Sequence, residues 1–137
     1  MNASLRFTEL EIIKRPLVNK FYDKQGARGR AKRTEQVWVC YLDNEIIAAC
    51  RIQKRQHYLL LCGVYVDPNW RQQRVASRLI TLAMSAQTQS VFSFVYKNLI
   101  DFYKLNGFNC VLTLPAELAT LFTLYERRNI VAMQYKC

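Results

Sequence analysis

The stretch from Tyr58 to Leu79 constrains this chain more than any other. Tyr58-Leu59-Leu60-Leu61-Cys62-Gly63-Val64-Tyr65-Val66 is too apolar for a solvated strand and reads as one buried on both faces. Pro68 stops the sheet, because it has no N–H to give to a ladder. Val75, Leu79, Leu82, Ala83 and Ala86 then recur at helical spacing, which predicts a helix from about Gln72 to Gln87. A helix that starts there directs its free backbone N–H groups back toward the strand end, and such a terminus favours anions. Arg71, Arg74 and Arg78 add positive charge along one side of that start. Chemistry alone leaves two readings: an anion-binding strand-turn-helix, or an ordinary one with a solvated basic face.

The remaining pattern places this unit in a larger sheet. Leu5 to Thr8 reads as a short strand. Pro16 suits the first turn of a helix, Leu17, Val18, Phe21 and Tyr22 give its apolar stripe, and Gly26 ends it. Ala27 to Thr34 is basic and reads as a loop or a short second helix. Gln36 to Leu42 and Glu45 to Gln53 read as strands joined by the Asp43-Asn44 turn, and a turn near Gln56-His57 leads into the apolar strand. Beyond the helix come a strand at Val91 to Val95 and a helix at Asn98 to Asn106, capped by Gly107. A strand at Phe108 to Leu114, a helix at Pro115 to Arg128 and a strand at Ile130 to Gln134 complete the chain. Antiparallel strands followed by β-α-β-α-β predict an α+β fold with a mixed sheet. Phe102 is expected to fill the core beside Leu99, leaving Tyr103 one position round the helix.

A chain of 137 residues, 51% hydrophobic and with only seven Gly and Pro, fits one packed domain over residues 1–137. Its apolar runs are interrupted well short of a membrane span. Met1-Asn2-Ala3-Ser4-Leu5-Arg6 lacks the apolar core of a signal peptide, so a cytoplasmic location, without membrane attachment, is expected. Cys40, Cys50, Cys62, Cys110 and Cys137 include no C-x-x-C pair, and His57 is the only histidine, so no metal is expected. The thiols are expected to be free, with Cys40, Cys50 and Cys62 as small apolar residues in strands. The net charge is +10, and eight of the twenty basic residues lie between Lys14 and Arg33, opposed only by Asp23. That field suits an anionic partner, although a solvated basic surface accounts for most such runs.

Two motifs in order carry a resemblance. Val66, Pro68, Arg71, Ala76 and Leu79 match the pattern V-x-P-x-x-R/Q-x-x-G-x-G/A-x-x-L, and Phe102-Tyr103-Lys104-Leu105-Asn106-Gly107-Phe108 is similar to F-Y-x-x-x-G-F. The chain thereby resembles the GNAT superfamily, the GCN5-related N-acetyltransferases, over roughly Gln36 to Cys110. The resemblance implies a mixed, largely antiparallel sheet splayed open at its centre, with helices on both faces and acetyl-CoA held in the split. It implies transfer of an acetyl group to a primary amine by direct attack. Val64, Tyr65 and Val66 would pair through main-chain groups with the pantetheine arm. The backbone of Arg71, Gln72, Gln73, Arg74, Val75 and Ala76 would hold the pyrophosphate. Tyr103 would be the general acid that protonates the CoA thiolate.

One position departs from the pattern, since Arg74 stands where the family has glycine. An arginine in helical φ/ψ still offers its N–H and can turn its side chain to a phosphate, or it can obstruct the site. No general base stands out: the strand carries no carboxylate between Tyr58 and Val66, His57 reads as a surface residue, and Glu35 and Glu45 remain, beside ordered water or solvent. The acceptor, a small molecule or a protein amine, is expected to meet the basic segment Lys20, Lys24, Arg28, Arg30, Lys32 and Arg33, with Arg28 and Arg30 as its binding residues. Such a pocket disfavours polycations and favours an anionic amine. Two alternatives stay open: a non-catalytic or degenerate GNAT-fold protein that binds CoA, and a basic nucleic-acid-binding module, which no RNP-type or helix-turn-helix sequence supports. The expected state is a monomer or a homodimer.

Overall fold

The computed structural model describes residues 4–137; Met1 to Ala3, part of the stretch read for a signal peptide, lie outside the described residues. Seven strands form a mixed sheet in the order β1-β2-β3-β4-β5-β7-β6. They are β1 (Leu5–Glu9), β2 (Gln36–Leu42), β3 (Glu45–Arg55), β4 (Tyr58–Val66), β5 (Val91–Tyr96), β6 (Phe108–Cys110) and β7 (Ile130–Tyr135). Four helices accompany them: α1 (Arg15–Lys24), α2 (Val75–Ser85), α3 (Ile100–Leu105) and α4 (Ala116–Phe122). Every neighbouring pair is antiparallel except β4 and β5, which run parallel because α2 carries the chain back across the sheet between them.

Alternation along the strands sorts the core into two faces. Trp38 and Cys40 of β2, Ala48, Cys50 and Ile52 of β3, and Leu59 and Leu61 of β4 pack with Val75, Leu79, Ile80 and Ala83 of α2. Tyr103 of α3 joins the same cluster. On the opposite face, Val37, Val39, Tyr41 and Ala49 pack with Val18, Phe21 and Tyr22 of α1, while Leu60 and Phe92 meet Leu118 of α4. Helices on both faces of a mixed, largely antiparallel sheet are the architecture expected from the sequence. No helix among the described residues is long and apolar enough to cross a membrane.

Several boundaries differ from the sequence reading, each for a local reason. The segment from Ala27 to Thr34 is a loop with no helix or strand. β6 ends at Cys110, four residues early, because only Val111 finds a further rung, on the Ala132 carbonyl, and the chain then leaves toward Pro115, which cannot donate to a ladder. α4 ends at Phe122, since Thr120 and Thr123 turn their hydroxyls back onto the Ala116 and Thr120 carbonyls; a separate 3-10 turn holds Glu126–Arg128. β4 is buried over Leu59–Leu61 but only partly over Cys62–Tyr65, so it is sealed on both faces at one end alone.

Leu79 has no exposed surface and sits where α2 meets the central strands. Leu79→Ala is expected to cost about 2–5 kcal/mol of unfolding free energy, read from the denaturant midpoint at constant slope.

Candidate active site

The site begins where the sheet comes apart. β4 and β5 share only three residue pairs, Leu59 with Val91, Leu60 with Phe92 and Leu61 with Ser93. Past Leu61 the two strands separate, and β4 continues to Val66 paired with β3 alone. The Ser93 hydroxyl donates to the Leu61 carbonyl at 3.0 Å and marks the last contact before the opening.

A bulge in β4 lies just beyond that contact. Ala49 pairs with Tyr65 and Arg51 with Cys62, so two steps on β3 oppose three on β4. Gly63 takes up the extra residue at φ +61°, a left-handed conformation that glycine adopts without steric cost. No side chain fits there: a Cβ on Gly63 would lie 2.8 Å from Arg51 Nε and 3.1 Å from the Tyr22 hydroxyl oxygen. Tyr22 reaches across from α1 and donates its hydroxyl to the Gly63 carbonyl at 2.7 Å. The Arg51 guanidinium lies over the Tyr22 ring, 5.3 Å from its centre, and its Nη2 donates to Cys62 Sγ at 3.6 Å.

The turn after β4 is built differently from the sequence reading. Asp67 accepts from the Asn69 N–H, and Pro68–Trp70 make one 3-10 turn. Gln72 and Arg74 both have φ +62°, so neither is helical, and α2 begins at Val75 rather than Gln72. The expectation that Arg74 keeps helical φ/ψ is therefore corrected: arginine is left-handed at the position where the pattern has glycine. It remains compatible with the fold because its side chain is exposed, and its carbonyl accepts the first bond of α2, from the Arg78 N–H at 3.0 Å. The arginine stripe divides accordingly. Arg71 Nε turns back to the Val66 carbonyl at 3.0 Å, and Arg78 stacks 4.2 Å from the centre of the Phe7 ring. Gln72 and Gln73 are exposed beside Arg74, while Val75 is a core residue and Ala76 is half-buried. The first turn of α2 receives no side-chain cap from Arg74.

Tyr103 is the buried residue of α3, whereas Phe102 is only partly buried, the reverse of the expected packing. α3 is six residues long and starts two positions later than its sequence pattern suggests, which rotates Tyr103 inward between the edges of Phe102 and Phe108. Burial pushes its phenol well above the ordinary value near 10, and the neighbouring Ser93 side chain offsets part of that. The structure thus brings Tyr103 to Ser93, at the point where β4 and β5 part. Arg30 is exposed and paired with Asp23 at 2.9 Å, and Arg28 is exposed. Glu35 is buried, with Oε1 accepting from the Lys32 N–H at 2.9 Å, while His57 and Glu45 are exposed. Cys40 and Cys50 are buried and Cys62 half-buried, all with free thiols; burial lifts the Cys40 thiol to about 11.

Three residues at the opening were not singled out from the sequence: Ser93, Tyr22 and Arg51. Arg51 carried a signal, because it is the one charge within the apolar run from Ile46 to Ile52. Gly63 inside a strand pattern was a second.

Comparison with known proteins agrees with this geometry. The sequence pattern of an acetyltransferase (GNAT) domain matches residues 33–110. No curated protein matches the sequence. Among solved structures, N-acetylglutamate synthase from Neisseria gonorrhoeae, complexed with coenzyme A and N-acetyl-glutamate, superposes with a TM-score of 0.74 at 12% identity; the match covers 99% of this chain but 36% of that one. PaiA N-acetyltransferase from Thermoplasma acidophilum, in complex with coenzyme A, gives 0.67 at 11% identity over 98% of this chain and 99% of that one. Arabidopsis thaliana Naa50, with a bisubstrate analogue of CoA and an acetylated peptide, gives 0.68 at 16% identity over 98% and 99%. The chain belongs to the GNAT acetyltransferase family.

The left-handed Arg74 has a measurable consequence. A non-glycine residue in that region costs roughly 1–2 kcal/mol, part of which glycine returns as unfolded-chain entropy. Arg74→Gly is therefore expected to stabilise the fold by up to about 1 kcal/mol, seen as a higher melting temperature.

Proposed function

We propose that this GNAT family member is an acetyl-CoA-dependent N-acetyltransferase acting as one domain over residues 1–137. The observation that carries the reading is the loss of β4–β5 pairing after Leu61 and Ser93. It leaves the β5 side of Val64, Tyr65 and Val66 without a strand partner, so an extended pantetheine arm would add there as a strand does. The turn Arg71–Arg74 and the uncapped start of α2 at Val75 and Ala76 would meet the pyrophosphate, through backbone N–H groups and added positive charge. That neighbours of this fold carry bound coenzyme A supports the same assignment. The chemistry then runs in one displacement. The amine nitrogen attacks the thioester carbonyl carbon, the C–S bond breaks, the amine proton passes to water, and the thiolate takes the proton of the Tyr103 hydroxyl. Burial penalises the phenolate, so the Tyr103 hydroxyl carries its proton at neutral pH. Water is the proton acceptor because Glu35 is occupied by the Lys32 N–H and β4 carries no carboxylate. That missing base is also what favours the second reading, a relative that binds CoA without catalysis.

A hundredfold excess of acetyl-CoA over Kd is expected to stabilise the protein by about 2.7 kcal/mol; no thermal shift at millimolar acetyl-CoA would remove the reading. Tyr103→Phe is expected to lower kcat by about 10²-fold or more while acetyl-CoA binding stays nearly intact. In the wild type, kcat is expected to show no alkaline decline from this group below about pH 10, because the folded-state phenol titrates above its ordinary value. Binding without turnover on any amine would leave the non-catalytic reading standing.

A further inference from the structure

The half of β4 that borders the split is out of step with the half that seals the core. Asp67 donates its N–H to the Ile47 carbonyl at 2.7 Å, one rung past the Ala48–Val66 pair. Backbone groups along an antiparallel strand face alternate sides. Tyr65, opposite Ala49, therefore turns its N–H and carbonyl to β3, and Val64 and Val66 turn theirs to the split. Arg71 Nε on the Val66 carbonyl agrees with that phase. Arg51 lies two residues from Ala49, so it also faces β4, where it meets Cys62. In a regular strand Val64, two residues after Cys62, would face β3 as well, and Tyr65 would face the split. The extra residue at Gly63 reverses this order. Losing the bulge would turn the free backbone groups inward and move each side chain to the opposite face.

Tyr22 grips the bulge on both sides. Its hydroxyl donates to the Gly63 carbonyl at 2.7 Å, and its ring meets the Tyr65 ring edge-on, with centres 6.1 Å apart and planes at 86°. The side chain is 1% exposed and packs against Val18 and Phe21 of its own helix and against β2 and β3. The Arg51 guanidinium lies over the same ring. A residue locked in this way holds its hydroxyl in one place, and the left-handed Gly63 carbonyl is held with it.

We infer that Tyr22 is a positioning residue for acetyl-CoA: by clamping the Gly63 bulge from α1, it fixes which backbone groups of Val64 to Val66 face the split and so sets the affinity for an extended pantetheine arm. For its ligand the inference rests on the acetyltransferase reading; for the clamp it rests on the strand register alone.

Tyr22→Phe keeps the ring and removes the hydroxyl. Its Kd for acetyl-CoA, measured by calorimetry well below the melting temperature, is expected to rise about tenfold or more, because the freed Gly63 carbonyl lets the bulge relax. Asn19→Ala is the control on the same helix, because that side chain bonds the Ala31 backbone and no group of β4. It is expected to lower the melting temperature while leaving Kd within about twofold of wild type. A hydroxyl that only stabilises the fold would behave like Asn19, so a Tyr22→Phe Kd within about twofold of wild type would overturn the inference. Amide exchange in the ligand-free protein checks the phase directly. Val64 is expected to exchange at least about tenfold faster than Tyr65 in the wild type, and the contrast is expected to shrink in Tyr22→Phe. Equal exchange of the two amides in the wild type overturns the inference even if Tyr22→Phe does not fold. Should the wild type not bind acetyl-CoA, the acetyltransferase reading fails and exchange alone decides the clamp: a contrast lost in Tyr22→Phe supports it, and a contrast kept overturns it.

Discussion

A parallel strand pair that stops after three residues leaves a run of backbone groups in the middle of a sheet without partners, and the rest of the structure is arranged around that run. An unmet buried carbonyl costs about 1–3 kcal/mol. Three side chains from three different elements each meet one: Ser93 takes the Leu61 carbonyl, Tyr22 the Gly63 carbonyl and Arg71 the Val66 carbonyl. They hold the opening apart while capping what the lost pairing exposes. The left-handed Gly63 aims its carbonyl away from β5 and toward α1, which is why a helix on one face can fix the edge of a cleft.

A second set of polar contacts ties the irregular basic segment to this frame. Arg15 is buried at the start of α1 and donates from Nη1 to the Leu10 carbonyl at 2.8 Å and from Nη2 to the Glu35 carbonyl at 2.6 Å. Glu35 in turn caps the Lys32 N–H and faces Arg51. Asn19 adds two further bonds to the backbone of Ala31. A segment without helix or strand has to place its backbone groups somewhere, and here they go to side chains of α1. The dense positive charge of this region is mostly at the surface; its buried cation is Arg15, and Arg51, which Glu35 faces from this segment, is buried on β3.

The periodic parts of the fold were legible because their signals are local. β2 and β4 begin and end where alternation and turn residues place them. What escaped depends on contacts or dihedrals that the local pattern does not encode. Nothing in Gln72 or Arg74 advertises a positive φ, as glycine or asparagine would. Phe102 and Tyr103 differ by one helical step, and a helix as short as α3 has too few turns to fix its phase from spacing. Tyr22 was legible as part of an apolar stripe, but its hydroxyl partner lies on β4, far along the chain. Arg51 was visible as an odd charge, yet only the folded chain shows that Gly29 and Gly63 enclose it.

The narrow seam between β4 and β5 also divides the molecule kinetically. β1 to β4 form a meander whose later strands are joined by tight turns and can close short loops early, while β5, β6 and β7 form a second antiparallel unit whose strands meet across longer connections. The seam can form only after the chain between Leu61 and Val91 has been looped back by α2, so its loop-closure entropy is met by three residue pairs and the packing of one helix. A sheet joined in this way is two cooperative units sharing one core, and the boundary between them is the same line along which the cleft opens.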